Sequence, residues 1–344
     1  MVRRLLAALV VAALFVLALV STAGSSVKVE PEPVFLLPSR ALGCGGATTL
    51  PGGATRVPIR TSKVAGQVAE LINLCINGQG PFPFVLDSGD AESTIDAGLA
   101  HRLHLGSAGA PVDFEGVGCT AAARPVTVAH WSVGGLALAA QTLIAAHIPE
   151  MGGKGEPVGL FGSDVLSSFG AVRIDFRANT LTFGGPQGPE ATTDSQVYGP
   201  TGPPPPAVLT EGENGTTVPL HVVLAPGGTS LQLQLRFGRG RARTFAVDTG
   251  SSQSVVSSAL AKRLHLAGSD LAERQSTVCS FITAPLVHTG PWSIPGVSLH
   301  PQLVGETNFG PIGGGGIVGL LGSDQLVRYG WVIFDYRGGR LVLG

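Results

Sequence analysis

The sequence predicts an all-β, bilobal fold: two homologous β-barrel-like lobes that carry only short helices. Three observations lead there. At 344 residues the chain is long enough for two domains of ordinary size. Its composition, 13% charged with 50 Gly and 25 Pro, suits short strands joined by tight turns better than long solvated helices. Above all, the chain repeats itself, and the repeat sets the order of everything else.

The repeat runs through both halves with almost constant spacing. Phe84-Val-Leu-Asp87-Ser-Gly aligns with Phe245-Ala-Val-Asp248-Thr-Gly, and the match continues into Leu99-Ala-His-Arg-Leu-His-Leu105 and Leu260-Ala-Lys-Arg-Leu-His-Leu266. Trp131-Ser-Val and Trp292-Ser-Ile both stand 44 residues beyond their aspartate. Gly159-Leu-Phe-Gly-Ser-Asp164 through Gly184 matches Gly319-Leu-Leu-Gly-Ser-Asp324 through Gly344. Units of about 120 residues are large enough for a core of their own.

Local patterns fill in the elements. Residues 68–76 and 231–237 are strand-like, the second alternating as Leu-Gln-Leu-Gln-Leu-Arg-Phe. Each is followed by a turn, Asn77-Gly-Gln-Gly or Gly238-Arg-Gly, and by a second strand that runs into Asp87 or Asp248. The stretches 93–105 and 254–266 have helical spacing, and Ser163-Asp164 and Ser323-Asp324 are expected to cap short helices. Each half closes on two strands. The boundaries that follow are 1–23, a signal peptide; 24–62, an N-terminal extension or propeptide; 63–185, the first lobe; 186–215, a Pro/Gly-rich linker; and 216–344, the second lobe. Residues up to 62 could also supply a strand to the first lobe.

Charge and targeting narrow the function. A net charge of -1 gives no reason to expect nucleic acid or an anionic membrane as partner. Arg3 and Arg4 precede an unbroken apolar run, Leu5 to Val20, and Ser-Thr-Ala23 follows, the order of a cleavable export signal. The run is shorter than the ~20 residues that span a bilayer, so an uncleaved anchor is the secondary expectation. The protein is expected to be secreted or extracytoplasmic, where cysteines form disulfides. Four cysteines, Cys44, Cys75, Cys119 and Cys279, allow three pairings, and none has the spacing of a metal site.

The chemistry rests on Asp87-Ser-Gly and Asp248-Thr-Gly. A single such triplet is weak, but two at equivalent points of a duplication are strong. Two adjacent carboxylates cannot both ionise cheaply, so they share a proton and provide a general base and a general acid in one site. On these residues the chain, over nearly all of 64–344, resembles the retropepsin-like and pepsin-like aspartic proteases. The resemblance implies a peptide-hydrolysing dyad of Asp87 and Asp248, no metal or organic cofactor, an extended peptide as substrate, and a monomer that is an intramolecular pseudo-dimer. It also implies that Ser88 and Thr249 tie the two loops together across the lobes, and that Gly89 and Gly250 let the backbone pass close beneath the carboxylates. Ser251 fits the family pattern. Asp90, its counterpart in the first half, does not: it either raises the dyad's pKa values, points to solvent, or marks a damaged lobe. Gly116, Gly118 and Cys119, and Thr277 and Cys279, fall where the family places its flaps. A Cys119–Cys279 bridge would tie the flaps together; Cys75–Cys119 within the first lobe is the alternative. The rival to an endopeptidase is an inactive, protease-like protein that binds peptides or serves as a scaffold.

Overall fold

The computed structural model describes residues 15–17, 43–64, 67–149, 151, 156–188, 196–198, 204–225, 228–277, 279–310 and 316–344. Apart from the strand Phe15–Leu17, which pairs with residues 274–276, the predicted leader lies outside the described residues. Among the described residues no helix is long and apolar enough to cross a membrane.

Each half folds on its own sheet, and a third sheet joins them. In the first half, Gln67–Ile76 and Gln79–Leu86 form a hairpin turned at Asn77 and Gly78, both with left-handed φ (51° and 72°), as a tight two-residue turn demands. In the second half, Gly228–Phe237 pairs with Arg243–Asp248. Its Leu-Gln alternation becomes burial alternation: Leu231, Leu233, Leu235 and Phe237 enter the core.

The strands that deliver the aspartates lie in the middle of their sheets. Leu160 and Phe161 run parallel to Val85 and Leu86, and Leu320, Leu321 and Gly322 run parallel to Ala246, Val247 and Asp248. Thr94–Asp96 and Val255–Ser257 add a strand antiparallel to these. The helices expected from 93 and 254 are therefore shorter, Ala97–Arg102 and Ser258–Leu264. β-Branched Thr94, Ile95, Val255 and Val256 take ladder positions instead, and Asp96 and Ser257 cap the helices through Leu99 N–H and Leu260 N–H. His104 and His265 follow with left-handed φ (51° and 50°), exposed at the helix ends. The helix Ser163–Ser168 has Gly162, not a side chain, at its N-cap. The Asp164 carboxyl, inside the first turn, accepts from Val165 N–H (2.8 Å) and from Ser93 Oγ (2.6 Å).

The joining sheet contains Thr216–Pro219, Arg340–Leu343, Trp331–Asp335, Ala171–Asp175, Thr180–Phe183, Thr55–Pro58 and Thr48–Thr49 in that order. Its centre is the antiparallel pair 171–175 with 331–335, one strand from each half. Residues 48–58, in the N-terminal stretch, thus belong to this sheet, and the Cys44–Cys75 disulfide ties that stretch to the first lobe. Trp131 and Trp292 are both buried, their indole N–H groups donating to Ala139 O and His300 O.

Strand alternation sorts the apolar residues into a body and a roof. Phe84, Leu86, Phe245 and Val247 point into the main core. Val85, between them, joins Leu71, Phe114, Ile144, Ile148, Met151 and Leu160 in a second cluster. Ala246 likewise joins Val117, Val255, Phe309, Ile317 and Leu320 in a third.

Candidate active site

Asp87 and Asp248 end the two central strands, and the fold brings them together although 161 residues separate them. Both are fully buried. The loops that carry them are cross-tied. Ser88 N–H donates to Thr249 Oγ1 (2.9 Å) and Thr249 N–H to Ser88 Oγ (3.1 Å), while each hydroxyl donates to a carbonyl of the opposite strand, Val247 O (3.1 Å) and Leu86 O (2.8 Å). Every polar atom of these two side chains is used, and each half fixes the other's loop.

The carboxyls are oriented by backbone. Asp87 Oδ1 accepts from Gly89 N–H and Asp90 N–H, both at 2.9 Å, and Asp248 Oδ1 accepts from Ser251 N–H at 2.9 Å. Gly250 N–H favours both ionised forms. Neither Oδ2 accepts a hydrogen bond from the described residues. The glycines are required by close approach: a Cβ on Gly89 would lie 2.5 Å from Asp248 Oδ1, and one on Gly250 would lie 2.5 Å from Asp87 Oδ1. Burial pushes Asp87 up to about 6 and Asp248 well above the usual carboxylate range, Asp248 further because the Asp87 charge faces it. The two therefore titrate as a coupled pair that gives up its protons less readily than isolated carboxyls do.

Asp90 does not point to solvent. It is fully buried, its Oδ2 accepting from Thr94 Oγ1 (2.9 Å) and its Oδ1 having no hydrogen-bond partner among the described residues. Burial, with the charges of Asp87, Asp164 and Glu92, raises its pKa well above the ordinary value. Ser251, at the equivalent place, is neutral and donates to Gln253 O (2.6 Å).

Beneath the loops a second repeated layer holds them. Ser93 Oγ donates to Asp164 Oδ1 (2.6 Å) and accepts from Gly162 N–H (2.9 Å); Ser254 Oγ does the same with Asp324 Oδ1 (2.7 Å) and Gly322 N–H (3.0 Å). Ser163 Oγ donates to Ser88 O (2.8 Å), and Ser323 Oγ lies 3.0 Å from Thr249 O. The recurrence of Ser93/Ser254 and Asp164/Asp324 could have revealed this layer from sequence. Two partners could not be found that way. Tyr336 OH meets Ser163 Oγ (2.9 Å) and Glu70 Oε2 meets Ser323 Oγ (2.7 Å), each from the opposite lobe, while their repeat counterparts are Phe176 and Leu231.

The flap candidates lie on two hairpins. Val112–Gly116 pairs with Cys119–Val128 across Val117 and Gly118, and Gly268–Ser276 pairs with Phe281–His288. Thr277 N–H donates to Ser280 O (2.7 Å) at the second tip. Cys119 and Cys279 form a disulfide with 6.2 Å between Cα atoms, so the alternative Cys75–Cys119 pairing is ruled out.

The duplicated all-β chain thus brings one Asp-hydroxyl-Gly loop from each half to a shared, buried pair of carboxyls. The family model of aspartyl proteases matches residues 72–165 and 233–325, one copy per half and just over half of the chain. The protein belongs to the aspartyl protease family. No curated protein matches the sequence significantly. Among solved structures, the crystal structure of aspartic proteinase from Irpex lacteus is 12% identical with a TM-score of 0.44, over 85% of this chain and 97% of that one.

Proposed function

We propose that the protein is an exported aspartic endopeptidase that hydrolyses peptide bonds with Asp87 and Asp248 as its catalytic pair. The observation that carries this is the asymmetry within each carboxyl: Oδ1 is held by backbone N–H groups, and Oδ2 is left for substrate chemistry. A water between the two Oδ2 atoms would lose a proton to the ionised carboxylate as its oxygen bonds to the peptide carbonyl carbon. The protonated carboxyl gives its proton to the carbonyl oxygen, forming a neutral tetrahedral diol. Collapse of the diol breaks the C–N bond, a proton passes to the leaving nitrogen, and the pair returns to its single-proton state. Positions 88, 89, 249 and 250 hold the carboxyls in place and do not touch the substrate in this scheme. Export follows from the charged, apolar and small-residue order of the first 23 residues.

One observation favours a non-cleaving, peptide-holding protein instead: Asp90 puts a third buried carboxyl where Ser251 stands in the other half. Purified protein incubated with a peptide library at pH 3–7, with and without a transition-state-mimicking inhibitor, separates the two readings. Inhibitor-sensitive cleavage that disappears in Asp87→Asn and in Asp248→Asn supports the protease. Cleavage that persists in both variants eliminates the dyad mechanism.

A further inference from the structure

The disulfide between the hairpin tips has a consequence for which substrates can reach the dyad. Asp87 and Asp248 are fully buried, and the tips of both hairpins pack in the apolar clusters that contain residues of the strands leading to them. Val117, at the first tip, packs in the cluster of Ala246 and Leu320, beside the strand that ends at Asp248. Cys279, at the second tip, packs against the cluster of Val85 and Leu160, beside the strand that ends at Asp87. Each tip thus packs in an apolar cluster of the other half, and Gly118 approaches the second half so closely that a Cβ there would lie 2.9 Å from Asn308 O. Between the two tips, Cys119 and Cys279 are bonded.

The floor is closed as well. The Ser88/Thr249 cross-tie joins the two loops, and the shared sheet joins the halves behind them. Hairpin, disulfide, hairpin and floor therefore form a ring around the pair of carboxyls. A disulfide keeps its two Cα atoms within about 7 Å of each other, so the hairpins can rise together but their tips cannot part. A substrate held at both ends, such as a loop of a folded protein or a cyclic peptide, enters a two-flap site by passing between separated tips. That route is shut here. An unstructured segment with a free end can still slide lengthwise beneath the bridge.

We propose that the disulfide-bonded protein selects substrates by chain topology, admitting extended segments that thread from a free terminus and excluding loops and cyclic peptides. This selectivity rests on the protease reading for its cleavage step, but the threading itself is a binding property and can be tested separately.

The experiment uses one peptide sequence that the protein cleaves or binds, as a linear chain and as a head-to-tail cycle. Three forms are compared: the oxidised full chain, Cys119→Ser/Cys279→Ser, and full chain treated with a phosphine reductant, which covers the case in which the double variant folds poorly. Cleavage is followed by mass spectrometry, and binding of both peptides is measured by calorimetry in an Asp248→Asn background. The oxidised protein should cut and bind the linear peptide only, with cleavage and binding of the cycle gained when the bridge is removed. Equal handling of both peptides by the oxidised protein overturns the proposal. So does an oxidised protein that handles neither while the unbridged forms handle both, because the bridge would then be a complete latch. Linear-only binding with no cleavage by any form sustains threading and removes the protease reading.

Discussion

Replacing Gly250 by alanine tests whether the dyad works through the position of its carboxyls. The new methyl would sit 2.5 Å from Asp87 Oδ1, whereas ordinary van der Waals contact begins at 3.4 Å. Asp87 Cγ and Oδ2 lie nearer still, so the side chain must retreat by about 1 Å, and a misplacement of that size at a reacting group costs ~10²-fold in rate. That corresponds to about 2.7 kcal/mol of transition-state stabilisation. Asp87 has little room to yield without losing its bonds from Gly89 and Asp90 N–H. The assay is kcat/KM on a fluorogenic peptide, with thermal melting recorded in parallel because overpacking costs 1–3 kcal/mol of stability on its own account, about that much in most cores. Gly106→Ala, where a Cβ meets nothing within 4 Å, is the matched control and should be neutral. A well-folded Gly250→Ala protein with kcat/KM close to wild type would refute the reasoning.

Two further predictions concern pH. Because burial raises Asp87 to about 6 and Asp248 further, the pair holds two protons below that pH and no carboxylate is free to activate water. The profile of kcat/KM should fall about tenfold per pH unit below 6; a plateau extending down to pH 3 would show that burial does not govern the pair. Glu273, buried on the second flap strand, is pushed from 4.5 up to about 7, mainly by desolvation, with the Gln67 amide opposing and the Asp324 charge adding to it. The unfolded chain thus binds fewer protons than the fold between those values, so Glu273 lowers stability as pH rises from 4.5 through 7. The loss is roughly 3 kcal/mol by linkage. Denaturant unfolding at pH 5 and pH 8 should show Glu273→Gln losing less stability than wild type by about that amount; equal losses would count against the burial of this carboxyl.

How much of the site could be read from sequence depends on whether the interaction was copied by the duplication. The strands into Asp87 and Asp248, the Trp131/Trp292 pair and the hydroxyl-glycine triplets were duplicated together, so spacing exposes them. The Ser93–Asp164 layer was also duplicated, so its recurrence is legible in the sequence, although the contact itself joins residues 71 apart. Helical periodicity misled at 93–105, where Thr94 and Ile95 satisfy both a helix pattern and a strand ladder, and the neighbouring Gly159–Phe161 strand decides between them. Asp90 was visible as a departure from Ser251, but solvent-facing and buried aspartates look alike in one dimension.

The sequence alone determined that two aspartates are equivalent, that each ends an apolar strand, and that the halves are built alike, because strand, turn and repeat are short-range patterns. Only the tertiary structure decided which cysteines bond, since that choice follows Cα separation and not sequence distance. It also decided that Glu70 and Tyr336 brace the opposite loops, and that Asp87, Asp90 and Asp248 are all buried. The protonation of those carboxyls is set by desolvation and by neighbouring charges, which exist only once the chain has folded around them.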